Sequence, residues 1–260
     1  MTANATDMAG TNASTEILRL DAVSVAFGGL RALNDMNFVA LAGERVAILG
    51  PNGAGKTTLF NVIAGDIRPT EGAVAIAGQD VTLRPSRIRP SLGVARTYQK
   101  TRLFGGLTVR ENLALAAIGK DGGHRKMRNG LTRRAVDDRA TETADTVWLT
   151  DEVDTVVADL SHGQKRQLEV GMAMVTKPKL LLLDEPASGL SRGERERLID
   201  LLNGLDEDVT LILIEHDMDV ALNVADRVMV MADGVKLSEG TPTEVKEDPV
   251  VHEIYLGTRQ

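Results

Sequence analysis

Leu180–Leu183 and, after Thr210, Leu211–Ile214 are short stretches that are apolar without interruption. Runs this short and this continuous read as strands covered on both faces, as in a parallel sheet. Arg45–Leu49 is a third such run. Ile17–Phe27 and Ala32–Leu41 are strand-like too, divided by a Gly28-Gly29 turn, and Gly72–Ile76 and Val94–Tyr98 are shorter strand candidates. Helical spacing marks Thr58–Ala64, closed by Gly65 as its C-terminal cap. Thr108–Ile118 carries Thr108 as N-cap and Glu111 three residues on, which predicts a capping box. Arg133–Val147, His162–Val175 and the charged, amphipathic Arg192–Leu205 also read as helices. The pattern predicts an α/β core interrupted by a helical block at about residues 100–176. Trp148 is expected in the core of that block, with Met172 and Met174 as filler. No internal repeat is visible.

Composition narrows the classes. The 260 residues are 43% hydrophobic and 26% charged, ordinary for a globular protein able to bury a sizeable core. A net charge of −7 argues against nucleic-acid binding through a basic face. Without cysteine, disulfides, thiolate metal sites and cysteine nucleophiles are excluded. No apolar run is long enough to span a bilayer. Residues 1–15 are Thr/Ala/Asn-rich, lack a signal core and are expected to be a disordered tail, which places the chain in the cytosol. The basic, glycine-rich segment Lys120–Arg134 is expected to be a solvated loop rather than a contact for anionic headgroups.

The strongest motif lies between the Arg45–Leu49 strand and the following helix. Gly50-Pro51-Asn52-Gly53-Ala54-Gly55-Lys56-Thr57-Thr58 matches the phosphate loop in full and in its proper context. Its glycines let backbone N–H groups turn inward around phosphate oxygens, and the helix adds its positive end. Lys56 is placed to reach the β- and γ-phosphates, and the Thr57 hydroxyl to ligate Mg²⁺.

The companions are consistent. Leu180–Leu183 ends in Asp184 and Glu185, and such strands deliver catalytic groups at their C-terminal edge. Asp184 suits the Mg²⁺ shell, and Glu185 the orientation or deprotonation of water. Leu160-Ser161-His162-Gly163-Gln164 opens a helix and could grip an anion, although the pentapeptide alone reads equally as a plain N-cap serine. His216, after the next strand, is a candidate γ-phosphate sensor; a lone histidine there is otherwise a structural hydrogen-bonding residue.

In combination and in order, these residues resemble the nucleotide-binding subunit of ABC transporters over about residues 16–257. The resemblance implies a RecA-like core with an antiparallel β region and a helical subdomain, binding ATP and Mg²⁺. It implies that Phe27 stacks on adenine and that Gln99 contacts Mg²⁺ and water and couples to the membrane subunit. Ser161, Gly163 and Gln164 would grip the γ-phosphate of ATP held by a second ATPase subunit, and Ser188-Gly189-Leu190-Ser191 would cross the dimer seam. His162 stands where the family usually has glycine, and Ser191 where it usually has aspartate. Permease subunits are the implied membrane partners, with a substrate-binding protein acting through them, and the chain would sit on the inner face of the membrane.

Phe27–Leu33, Arg96-Thr97-Tyr98-Gln99, Glu215-His216-Asp217-Met218 and the ending around Glu239-Gly240-Thr241-Pro242 resemble the branched-chain amino acid uptake branch. Leu160–Met172 is also close to urea and short-chain amide importers. A soluble ABC-type ATPase acting on DNA or ribosomes would typically carry coiled-coil insertions or two cassettes, both missing here. A small-molecule kinase would leave the signature segment, Leu160-Ser161-His162-Gly163-Gln164, and His216 unexplained.

Overall fold

The computed structural model describes residues 15–97, 103–120 and 133–256. In chain order these form β1 (Glu16–Phe27), β2 (Leu30–Leu41), β3 (Arg45–Leu49), α1 (Lys56–Ala64), β4 (Glu71–Ile76), β5 (Gln79–Asp80) and β6 (Val94–Arg96). There follow α2 (Val109–Lys120), α3 (Arg133–Thr146), α4 (His162–Met174), β7 (Leu180–Asp184), α5 (Arg192–Asn203) and β8 (Thr210–Ile214). The chain closes with α6 (Met218–Val224), β9 (Arg227–Ala232), β10 (Val235–Gly240), α7 (Pro242–Glu247) and α8 (Pro249–Leu256). Gln99, the tail before Thr15 and most of the basic segment 120–134 lie outside the described residues.

One sheet has the order β10-β9-β3-β8-β7-β6, parallel except for the edge strand β10; the other is antiparallel, β2-β1-β4-β5. The continuous apolar runs of β7 and β8 follow from burial of both faces. Leu180, Leu182, Ile212 and Ile214 point to the side filled by Leu59, Phe60 and Ile63 of α1 and by the antiparallel sheet. Leu181, Leu183, Leu211 and Leu213 point to the other side, against Leu168 of α4 and Leu198 and Leu202 of α5. The alternation is the two-residue period of a strand, with apolar partners on both sides.

Around α2, α3 and α4 the sequence reading holds with one correction. Thr108 and Glu111 form the expected capping box, Glu111 N–H donating to Thr108 Oγ1 at 3.2 Å and Thr108 N–H to Glu111 Oε2 at 2.9 Å. Trp148, expected in the core, is 48% exposed. The helix stops at Thr146, and Trp148 takes a left-handed φ of 55° that turns its ring outward, while Val147 and Leu149 on either side are fully buried. Two ends also shift: β6 stops at Arg96 short of Tyr98, and α5 stops at Asn203, with Gly204 as its C-cap.

Candidate nucleotide site

The register of the parallel sheet builds the site. Ile214 of β8 lies level with Ile48 of β3 on one side and with Asp184 of β7 on the other. The residues just past these three strands therefore leave the sheet at one edge: Gly50 onward, Glu185 and His216. This is the C-terminal edge, where open parallel sheets bind ligands.

The phosphate loop needs glycine at its first position, because Gly50 has φ 149° and a Cβ there would lie 2.1 Å from the Met231 carbonyl oxygen. Gly55, at φ 96°, caps α1 without a side chain, so no side-chain oxygen occupies the N–H groups of the first turn. Asn52 and Gly53 are exposed along the loop, and Ala54 pins it by accepting from Gly234 N–H at 3.1 Å. Lys56 is buried and folds back into the loop, donating to the Gly50 and Pro51 carbonyls at 2.6 and 2.9 Å. Burial pushes its ammonium pKa down, opposed by Glu185 and Asp184. Thr57 is exposed at the helix start and Thr58 is half-buried.

Asp184 is buried; burial raises its carboxyl, opposed by Arg96, whose Nη2 stands 3.4 Å from Oδ2. The second oxygen, Oδ1, has no hydrogen-bond partner among the described residues. Glu185 adopts a left-handed φ of 51°, which costs a non-glycine residue about 1 kcal/mol and is held by tertiary contacts. Its N–H donates to Ile214 O at 2.9 Å, and Arg166 Nη2 of α4 donates to its carbonyl at 2.8 Å. So fixed, the Glu185 carboxylate reaches His216, with Oε1 at 2.6 Å from Nε2.

Ser161 is the N-cap of α4. Its hydroxyl accepts from Gln164 N–H at 3.2 Å, and Gln164 Oε1 accepts from Ser161 N–H at 2.9 Å, a complete capping box. Gly163 N–H donates to Glu194 Oε1 at 3.0 Å. Ser191 caps α5 with Glu194 as its reciprocal partner, and His162 Nε2 lies 3.5 Å from the Ser188 carbonyl. Phe27, at the hairpin between β1 and β2, is 50% exposed, which leaves its ring free to stack.

A model of the ABC transporter family matches residues 33–188, and one described as branched-chain amino acid ATP-binding cassette transporter matches 235–260. The chain is 36% identical to the high-affinity branched-chain amino acid transport ATP-binding protein LivG of Escherichia coli, over 94% of this chain and 99% of that one. It is 34% identical to the corresponding protein BraF of Pseudomonas aeruginosa, over 94% and 99%. A crystal structure of the ADP conformation of an ATP-binding cassette of an ABC transporter superposes with a TM-score of 0.83 at 31% identity, covering 93% of this chain and 99% of that one. The chain belongs to the ABC transporter ATPase family. Among the described residues no helix is long and apolar enough to cross a membrane.

Within this ABC cassette three tying residues escaped the sequence reading. Arg96 joins Asp184 to Asn61 of α1, with Nη1 2.7 Å from Asn61 Oδ1. Arg166 bonds the carbonyls of Glu185 and Pro186, fastening α4 to the end of β7. Arg195, next to Glu194 in α5, pairs with Asp217, the N-cap of α6. Each is an arginine on a helix or short strand, which sequence periodicity reports only as a polar position.

Glu215 is the fourth. It is buried, accepting from Ala187 N–H at 2.8 Å and His216 N–H at 3.2 Å, so it joins the chain beyond β7 to the chain beyond β8. Burial pushes its carboxyl from 4.5 up to about 7, with Asp217 adding to the rise and the backbone N–H groups opposing it. Between those values the folded chain keeps a proton that the unfolded chain has released, so raising the pH favours unfolding. This group alone should lower stability by about 3 kcal/mol from pH 4.5 to 7. Glu215→Gln should remove that slope. Urea unfolding midpoints measured across this range check it, and parallel slopes for the two proteins would refute the assignment.

Proposed function

We propose that the chain is the ATP-hydrolysing subunit of an importer for branched-chain amino acids. The observation that carries the proposal is the convergence of Lys56, Asp184, Glu185 and His216 on one sheet edge, in a chain related over nearly its whole length to transport ATP-binding proteins. The phosphates of ATP lie in the loop Gly50–Thr58, with Lys56 leaving the Gly50 and Pro51 carbonyls for the β- and γ-phosphates, and adenine stacks on Phe27. Water attacks the γ-phosphorus as the bond to the β-phosphate oxygen breaks, giving ADP and phosphate. Glu185 orients that water and takes its proton, and His216, held by the same carboxylate, contacts the γ-phosphate.

The buried Oδ1 of Asp184, without a hydrogen-bond partner among the described residues, and the exposed Thr57 fit a hard, oxygen-seeking cation, so Asp184, Thr57 and Gln99 would hold Mg²⁺. When bound, the ion neutralises charge on the phosphates. Residues 16–257 make up one ATPase domain, with a helical subdomain inserted at about 100–176. Ser161, Gly163 and Gln164 serve the ATP of a second subunit, and permease subunits hold the pair on the cytoplasmic face of the membrane.

The test is reconstitution in proteoliposomes with permease subunits and a substrate-binding protein of the branched-chain amino acid type. ATP hydrolysis should rise when the binding protein carries leucine, isoleucine or valine. Stimulation by urea or a short-chain amide instead would move the assignment to those importers. Metabolite phosphorylation without any membrane partner would make the chain a kinase.

A further inference from the structure

Ser161, Gly163 and Gln164 are each engaged within the chain itself. Ser161 and Gln164 cap one another, and Gln164 Nε2 donates to Glu152 Oε1 at 2.7 Å. Two of these engagements set a carboxylate on a group that is to receive a phosphate, and one of the two holds a backbone N–H. That one is the bond from Gly163 N–H to Glu194 Oε1, at 3.0 Å. The approach is close: a Cβ at position 163 would lie 2.4 Å from Glu194 Oε1, so any larger residue there would push the Glu194 side chain aside.

Glu194 has a second hold. Its Oε2 accepts from Ser191 N–H at 2.9 Å and from the Ser191 hydroxyl at 2.7 Å. The carboxylate can therefore release Gly163 while keeping its place in the α5 cap. Ser191 suits this role because its hydroxyl donates; an aspartate there would set a second carboxylate against the first. On the reading that the signature grips a γ-phosphate, phosphate and Glu194 compete for one N–H, and two anions cannot share it without repulsion.

We infer that Glu194 is a positioning residue that occupies the Gly163 N–H in the nucleotide-free subunit and must be displaced by the partner's ATP, so that its charge weakens the ATP-bound dimer. The inference rests on the shared-site reading above. It gives the carboxylate a part in reopening the pair once phosphate has left.

The experiment uses the full chain carrying Glu185→Gln, so that ATP is not consumed, and follows dimer formation by sedimentation velocity over a protein dilution series with ATP. Glu194→Gln keeps the size of the side chain and an oxygen for the α5 cap but removes the charge. It should lower the protein concentration for half-dimerisation by about three- to tenfold, as expected for relief of an exposed like-charge contact at two equivalent sites. Glu194→Ala should do the same, and ATP affinity of the monomeric chain should not change. A purely structural Glu194 would give no gain with Gln, so an unchanged or raised midpoint for Glu194→Gln overturns the inference, including where Glu194→Ala fails to fold. Ser161→Arg is the control for the shared site. If it dimerises with ATP as readily as its parent, or if no chain dimerises with ATP at all, the shared-site reading falls and this inference with it.

Discussion

Glu185→Gln should cut ATP hydrolysis by about 10²- to 10⁴-fold, the range for losing a positioned general base. Binding should survive, because the side chain keeps its size and the backbone is held independently of it, by Ile214 O and by Arg166. The amide can still hydrogen-bond His216, so the loop after β8 stays placed while the proton acceptor is gone. The expected product is a stable ATP-bound dimer. Single-turnover hydrolysis with saturating Mg-ATP measures the chemical step directly. Turnover within a few-fold of wild type would remove Glu185 from the general-base role and turn attention to His216, 2.6 Å away.

Lys56→Ala should act one step earlier. In the free chain the ammonium is buried against two carbonyls, and in the ATP complex it exchanges them for phosphate oxygens. A hydrogen bond between charged groups contributes about 1.5–3 kcal/mol, so ATP affinity should fall by about 10- to 150-fold and hydrolysis should be lost with it. Burial already disfavours this charge in the absence of nucleotide, so the fold should tolerate alanine well. Equilibrium binding of a fluorescent ATP analogue, paired with a thermal melt, separates the two effects. Unchanged affinity in a folded variant would break the phosphate-loop assignment.

How much of this was legible in the chain depended on the range of the interaction that carries it. The phosphate loop, the β7 run ending in Asp184-Glu185 and the Thr108 cap are local patterns, and each stands where its sequence places it. Trp148 was not legible, because a single left-handed residue after α3 decides which of three neighbouring apolar side chains faces out. The tying residues were not legible either. Glu215 looks like the end of a strand until Ala187 N–H, from another strand's end, is seen donating to it. Glu194 looks like half of a helix cap until Gly163 arrives from α4.

The sheet order also sets when the site can exist. β3 carries the phosphate loop at the centre of the parallel sheet, and its two hydrogen-bonded neighbours are β8 and β9. Both come from the last fifth of the chain. While the polypeptide is being made, the loop's parent strand therefore has neither edge covered, and Gly50 lacks the Met231 carbonyl that packs beside it. Such non-local pairing is slow to form and leaves apolar strand edges open in the meantime. A chain truncated before Thr210 would keep the whole phosphate-loop motif but lose both strands that flank β3. Nucleotide capture is thus expected only late in synthesis, once β8 and the His216 that follows it have left the ribosome.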